Sequence, residues 1–151
     1  MEWMFLPLKR YADFSGRSRR MEYWMFALLN LIIGGVLLML ILGSGVPLAA
    51  LDDPSQAAGM FSSGLMIVFL VLAAIWALGV FIPSIAVTIR RLHDRDMSGW
   101  WYLGAIVASF IPFVGFIANI ALLVLMCLPG TPGPNRFGPD PKDPSQASVF
   151  S

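Results

Sequence analysis

Residues 90–101 read RRLHDRDMSGWW. The stretch carries five formal charges and the chain's single histidine, His93, between two long uncharged runs. Read as chemistry, it is a catalytic loop. Read as architecture, it is a turn between membrane segments, with arginines holding one side and tryptophans marking where lipid begins. The flanking sequence decides between the two.

Working outward, no charge falls between Glu22 and Asp52, between Asp53 and Arg90, or between Asp96 and Arg136. Each gap is long enough for a span, which needs about 20 apolar residues to cross about 30 Å of hydrocarbon. Composition agrees: 58% of residues are hydrophobic and 13% charged, with a mean hydropathy of +0.76, whereas a soluble domain averages about a quarter charged. At 151 residues the chain is one domain, built on helix–helix contact, because spanning helices satisfy their own backbone hydrogen bonds where no water can. A net charge of +1 argues against nucleic acid as a partner. The single cysteine, Cys127, excludes an intramolecular disulfide and a cysteine-clustered metal site, and no cofactor is expected. A cleavable signal peptide does not fit. The first 22 residues are too long and mixed for its basic region, the apolar run exceeds the usual range of about 7 to 15 residues, and no A-x-A site follows.

Residues 1–22 form a cytoplasmic interfacial segment with Lys9, Arg10, Arg17, Arg19 and Arg20. Within PLKRYADF, Pro7 suits a first helical turn and Leu8, Tyr11 and Ala12 share a face, so a short helix on the membrane surface is expected. Ser18 is a candidate cap for the next helix, although Glu22 sits one residue late for a capping box. Residues 23–128 form the membrane domain. The first span is about 23–43 and the second about 64–89, stopped by Arg90 and Arg91. Residues 44–63, which contain no lysine or arginine, form a loop on the far side. Five basic residues before the first span and Arg90, Arg91 and Arg95 after the second place the N-terminus and the Arg90 loop in the cytoplasm. The third run, residues 100–128, has a break near 112–115, at Pro112 and Gly115. It is either one tilted, kinked span or a hairpin that returns the tail to the cytoplasmic side. Residues 129–151 are a Gly/Pro-rich tail that cannot continue the helix, and its last ten residues are expected to be disordered.

Three stretches, FSGRSRRMEYW at 14–24, RRLHDRDMSGWW at 90–101 and GTPGPNRFGPDP at 130–141, together resemble the bacterial inner-membrane family of domain of unknown function 805. The resemblance covers about residues 7–141. It implies a small multi-spanning plasma-membrane protein and carries over no reaction, substrate or catalytic residue. It also implies that the three stretches meet on one face, which favours the hairpin. The candidate cytoplasmic-face cluster is Gly16, Arg17, Arg20, Glu22, Arg90, Arg91, His93, Asp94, Gly99, Trp100, Gly133, Asn135 and Gly138.

Within this cluster His93 and Asp94 could form an acid–base pair, but no serine, cysteine or second histidine completes a usual constellation. His93 is expected instead to contact Glu22 and the Asn135 turn. Arg17, Arg20 and Arg91 could hold a phosphate or a lipid headgroup, or the arginines could simply anchor the topology. Glu22 and Asp94, costly beside hydrocarbon unless paired, are expected to pair with Arg20, Arg90 or Arg91. Asn30, Ser84, Thr88 and Asn119 suit interhelical hydrogen bonds, and Gly104/Ala108 has a small-xxx-small spacing.

The sequence thus describes an all-α polytopic inner-membrane protein with three to four transmembrane or re-entrant helices and a short N-terminal interfacial helix. The expected role is structural or interaction-based, without catalysis. Its expected partners are anionic lipid headgroups, a membrane-protein partner or a second copy. Transport of a small neutral solute is the rival reading and would need a polar path at Asn30 or Asn119; a membrane enzyme using His93 and Asp94 is the remote one.

Overall fold

A computed structural model describes residues 2–44 and 64–143. Nearly all of the expected outer loop, and the tail from residue 144 on with its expected disorder, lie outside the described residues. Within them run five helices: α1 (Glu2–Lys9), α2 (Arg20–Gly43), α3 (Gly64–His93), α4 (Trp100–Ala108) and α5 (Pro112–Cys127). The chain divides into two compact units, Met1–Phe26 with Ile82–Ser151, and Ala27–Phe81.

Among the described residues, the unit Ala27–Phe81 holds the apolar stretches of α2 and α3. Helices of 24 and 30 residues rise about 36 and 45 Å at about 1.5 Å per residue, enough to cross a bilayer. Their surfaces point to lipid. Only 11% of the apolar stretch of α2 and 6% of that of α3 is buried, whereas the core helix of a soluble protein hides most of its length.

The other unit reverses the usual distribution. Its buried residues include Arg17, Ser18, Glu22, Arg90, Arg91 and Asp94, set beside a small apolar core of Phe26, Ala86, Val87, Leu92 and Met126. Helix α3 runs through Arg90 and Arg91 to His93 instead of stopping at residue 89, because both arginines find carboxylates and need not leave the helix to reach water. Helix α1 lies earlier than the PLKRYADF pattern suggests: it covers Glu2–Lys9, with Pro7 inside it. Asp13 ends the segment beyond it, accepting from Arg10 Nη2 at 2.6 Å and from the Ser15 N–H at 3.0 Å, a local alternative to helical bonding.

Residues 100–128 form two helices, not one. The break falls at Ser109–Ile111, just before the expected one, and Pro112 opens α5 at a position where its missing N–H costs nothing. Gly115 is no part of the break. A Cβ there would lie 2.6 Å from Ser109 Cα and 3.0 Å from the Ala108 carbonyl oxygen, so glycine lets α5 pass the end of α4 closely. At Gly104 an added Cβ would meet nothing within 4 Å, so the close approach to α5 falls at Ala108 and Ser109 and not at Gly104.

Candidate functional site

Asp94, one residue beyond α3, is the centre of the polar unit. Its Oδ1 accepts from Arg17 Nε at 3.0 Å and its Oδ2 accepts from Arg91 Nη1. Its backbone carbonyl accepts from the Thr131 N–H at 2.8 Å and the Thr131 hydroxyl at 3.2 Å. Gly130 passes so close to the carboxylate that any Cβ would run into it. One aspartate therefore joins the N-terminal segment, the end of α3 and the tail.

Arg17 extends the joint. Its Nη1 donates to the Gly133 carbonyl and its Nη2 to the Thr131 carbonyl, both at 2.6 Å. Arg91 donates from Nε to the Met126 carbonyl at 3.3 Å and from Nη2 to that of Leu128, and Arg20 donates to the Cys127 carbonyl at 3.2 Å. The Met126 and Cys127 carbonyls belong to the last turn of α5 and Leu128 is its cap residue; such carbonyls have no partner inside the helix and carry its negative end. Three buried guanidiniums, Arg17, Arg90 and Arg91, face two buried carboxylates, Glu22 and Asp94. Backbone carbonyls of the tail and of α5 disperse the excess positive charge.

A second joint links α2 to α3. Arg90 Nη2 lies 2.9 Å from Glu22 Oε1, with both side chains almost wholly buried. The Ser18 hydroxyl donates to Glu22 Oε2 at 2.8 Å, and the Ser18 N–H donates to the Arg90 carbonyl at 3.1 Å. Ser18 thus orients the carboxylate rather than capping a helix. Glu22 and Asp94 are ion-paired as expected, but with a finer division than composition suggests: Glu22 takes Arg90, Asp94 takes Arg91 and Arg17, and Arg20 goes to a carbonyl.

His93 is held on three sides. Its Nδ1 is 3.2 Å from the Gly16 carbonyl oxygen, which can only accept, so Nδ1 carries the proton. Its ring stacks on Phe137 with centroids 3.9 Å apart and planes 4° from parallel. Its backbone carbonyl accepts from Asn135 Nδ2 at 2.8 Å. The contact with the Asn135 turn is there; in place of Glu22, the ring meets Gly16. Gly16 has φ +74°, a conformation glycine adopts at low cost, and this turns its carbonyl region toward the imidazole. The side chains of His93 and Asp94 serve different partners.

The tail folds as a series of tight turns. Asn135 and Gly138 exchange backbone hydrogen bonds at 3.0 and 3.1 Å, and Asn135 Oδ1 accepts from the Phe137 N–H. Gly133 and Gly138, at φ +73° and +140°, supply the backbone reversals. Asp140 accepts from the N–H groups of Lys142 and Gly133. Hydrogen bonding from the Lys142 and Gly133 backbone outweighs partial burial and, with Arg17 and Lys142 nearby, holds the Asp140 carboxyl below its usual range. Arg19 closes the edge, donating to the Pro141 carbonyl and lying 5.3 Å over the Trp3 ring.

The structure therefore brings together Gly16, Arg17, Arg20, Glu22, Arg90, Arg91, His93, Asp94, Gly133, Asn135 and Gly138. Gly99 and Trp100, at the head of α4, make no hydrogen bond to the joint but share with His93, Ile85 and Ile89 the lining of a groove of about 460 Å³. Gly99 is needed there for space, since its Cβ would lie 2.9 Å from Ile89 Cγ2. Gly130, Thr131, Phe137 and Asp140 take part from outside the expected cluster, and so does Ser18, expected only as a cap. Thr131 and Gly130 sit in the quoted GTPGPN stretch, and Asp140 has the spacing of a turn-forming aspartate, but nothing local marks Phe137 as a stacking partner for a residue more than 40 positions away. Asn119 is engaged inside the hairpin, donating to Ser109 Oγ at 3.0 Å and to the Gly115 carbonyl at 2.8 Å. The Thr88 hydroxyl donates within its own helix, to the Ser84 carbonyl. Among the described residues no three His, Cys, Asp or Glu side chains are grouped to hold a metal ion.

The comparisons with known proteins agree with this architecture. The family described as "Protein of unknown function (DUF805)" matches residues 11–139, which contain the joint except for Asp140 and Pro141 at its edge. The Escherichia coli (strain K12) inner membrane protein YhaI is 40% identical over 144 residues, covering 94% of this chain and 97% of its own. The inner membrane protein YhaH of the same strain is 43% identical over 142 residues, covering 94% and 98%. No solved structure matches. With described residues that fold into helices, two of them long enough to span, and inner-membrane relatives that match 94% of the chain, the chain belongs to the DUF805 family of inner-membrane proteins.

Proposed function

We propose that this inner-membrane protein acts by contact rather than by catalysis, as an interfacial platform whose N-terminal segment, Arg90 loop and tail form one rigid cytoplasmic face. The Asp94 joint carries the reading. Its carboxylate is engaged by Arg17 and Arg91, whose remaining donors are taken up by carbonyls of α5 and the tail. These two arginines are almost fully buried, so they hold the platform together and are not ligands for a headgroup. The basic side chains left outside are Lys9, Arg20, Arg136 and Lys142, of which Arg136 is paired with the exposed Asp96. Such a cationic rim suits an anionic bilayer surface, which contributes about 1 kcal/mol per basic residue near it. The cytoplasmic orientation is supported by the basic residues that cluster before α2 and after α3.

The test compares full-length protein in nanodiscs of anionic and of zwitterionic lipid. Anionic lipid should raise the thermal midpoint, and Lys9→Gln with Arg20→Gln should abolish most of that rise. Equal midpoints in the two lipids would remove the headgroup contact. A His93→Ala protein that folds normally yet fails to restore a deletion phenotype would remove the non-catalytic reading.

A further inference from the structure

The hairpin of α4 and α5 exposes its apolar side chains most strongly at the tip, where Phe110, Phe113 and Phe116 are 82%, 86% and 68% exposed. Its base is tied down by Arg91 and Arg20 on the last carbonyls of α5 and by the Thr131 N–H on Asp94. Both ends of the hairpin therefore lie at the charged Arg90 loop, beside the exposed indoles of Trp100 and Trp101, the side chains expected at a lipid–water boundary.

Length then decides how deep the tip lies. The 9 residues of α4 rise about 13 Å at about 1.5 Å each, while half of the hydrocarbon core is about 15 Å. A hairpin rooted at one interface reaches the mid-plane and cannot reach the opposite surface. The 16 residues of α5 rise about 24 Å, close to half the core plus one interfacial layer, roughly 22 Å together. Its last turn, with the carbonyls that Arg20 and Arg91 hold, then falls among the headgroups.

The tip is also chemically fit for hydrocarbon, where an unpaired backbone group would cost several kcal/mol. The N–H groups of Ser109, Phe110 and Ile111 donate back to the carbonyls of Ala105, Val107 and Ala108 at 3.0, 3.2 and 3.0 Å, and Pro112 has no N–H to satisfy. The Ser109 hydroxyl donates to the Ala105 carbonyl at 2.8 Å and accepts from Asn119 Nδ2. The N–H groups from Ser109 to Ile111, that of Gly115, which donates to the Ile111 carbonyl, and the Ser109 hydroxyl are thus satisfied within the hairpin itself.

We propose that α4 and α5 form a re-entrant wedge inserted into a single leaflet, the one bordering the Arg90 loop, with Phe110, Phe113 and Phe116 set against acyl-chain ends at the bilayer mid-plane. The partner is the hydrocarbon of that one leaflet. The wedge fills its inner part without a counterpart across the membrane, and its depth is independent of what docks on the cytoplasmic rim.

Site-directed labelling of the full-length chain in vesicles tests this. In a Cys127→Ser background, which removes the single cysteine, nitroxide is attached at Trp101→Cys, Phe110→Cys, Phe113→Cys or Phe116→Cys. Oxygen accessibility relative to a water-soluble nickel chelate should rise about tenfold or more from the Trp101 site to the Phe113 site, reading a depth change of about 13 Å along α4. A membrane-impermeant maleimide should leave Phe110→Cys and Phe113→Cys unlabelled from either side of intact and opened cells. Labelling of either from the face opposite Arg95 would show a spanning hairpin. Equal nickel accessibility at all four sites would place the hairpin in water, and low oxygen accessibility with spin–spin broadening at the tip would show a second copy covering it; each of these overturns the proposal. The three phenylalanine sites are read independently, each only when its thermal midpoint matches the Cys127→Ser parent, so one misfolded variant leaves the other two to decide.

Discussion

The Asp94 joint and the α4–α5 hairpin lie in the same unit, yet they solve opposite problems. In the Asp94 joint, charged groups are inside and the donors of Arg17 and Arg91 are matched mostly across long sequence separations, whereas the neighbouring Arg90 has only the Glu22 carboxylate, its Nε and Nη1 making no hydrogen bond. In the hairpin, apolar groups are outside and the polar atoms are matched to neighbours within about ten residues. A group near lipid must be paired either way, but a charge needs an opposite charge or several carbonyls, which only distant segments provide. A hydroxyl or an amide can be satisfied by its own turn. The joint should thus fail when one partner is removed, and the hairpin when space is removed.

The largest effect is expected at Asp94. Asp94→Ala leaves Arg17 and Arg91 buried without their carboxylate, and breaking a buried pair costs about 3–5 kcal/mol. The thermal midpoint in detergent and the abundance in membranes should both fall sharply. Glu22→Ala should cost a similar amount by stranding Arg90. The double variant Glu22→Leu with Arg90→Leu should then be more stable than either single variant, with a coupling of about 1–3 kcal/mol. Additive costs in a double-mutant cycle would mean that the 2.9 Å contact contributes little.

In the hairpin the expected cost is smaller and steric. Gly115→Val must displace Ser109, a cost of about 1–3 kcal/mol for forcing volume into a packed contact. Gly104→Ala, in open space, should be neutral or gain about 0.5–1 kcal/mol from reduced backbone freedom in the unfolded chain. Thermal melts of the two variants side by side would separate close packing from helix propensity.

Acid should act on the edges of the joint. The Asp13 carboxyl is raised somewhat by burial, but hydrogen bonds from Ser15 and Arg10 outweigh this and bring it to about 2, below its ordinary value of 3.8. Asp140 is lowered as well, chiefly by the Lys142 N–H. A folded-state value below the unfolded one means that stability is fully present above the unfolded pKa and is lost as pH falls through the folded one. Thermal midpoints should therefore hold down to about pH 5 and decline from about pH 4 toward pH 2, with Asp13→Asn and Asp140→Asn each flattening the decline. The smallest effect belongs to the exposed Arg136–Asp96 pair, 3.1 Å apart at the surface. Asp96→Asn, which keeps a side chain tolerant of the positive φ of 57°, should change stability by less than about 0.5 kcal/mol.

Much of the fold was legible from residue order. The uncharged gaps located α2 and α3 because a span must be long and apolar whatever it packs against. Their ends were less legible: the arginines at 90 and 91 read as a stop signal, and only Glu22 and Asp94, distant or around the corner of the helix, let the helix continue through them. The early position of α1 was missed because Pro7 reads as a start and is in fact near the end. In the joint, the charged residues and glycines stood out by type. The partners that are mere backbone carbonyls, at Met126, Leu128, Thr131 and Gly133, had no signature, since every residue has one.

By itself the sequence determined that this chain is written for lipid, where its two long spans begin, and that its charges and reversible turns gather in three stretches. Those properties follow from local hydropathy and backbone preference, which each segment carries alone. Only the tertiary structure decided that residues 100–128 double back as two short helices, that Asp94 divides itself between Arg17 and Arg91, and that His93 faces Gly16 and Phe137 instead of Glu22. Most of these depend on which polar groups meet across about 35 to 120 residues of chain, and near a membrane a buried polar group that finds no partner is costly.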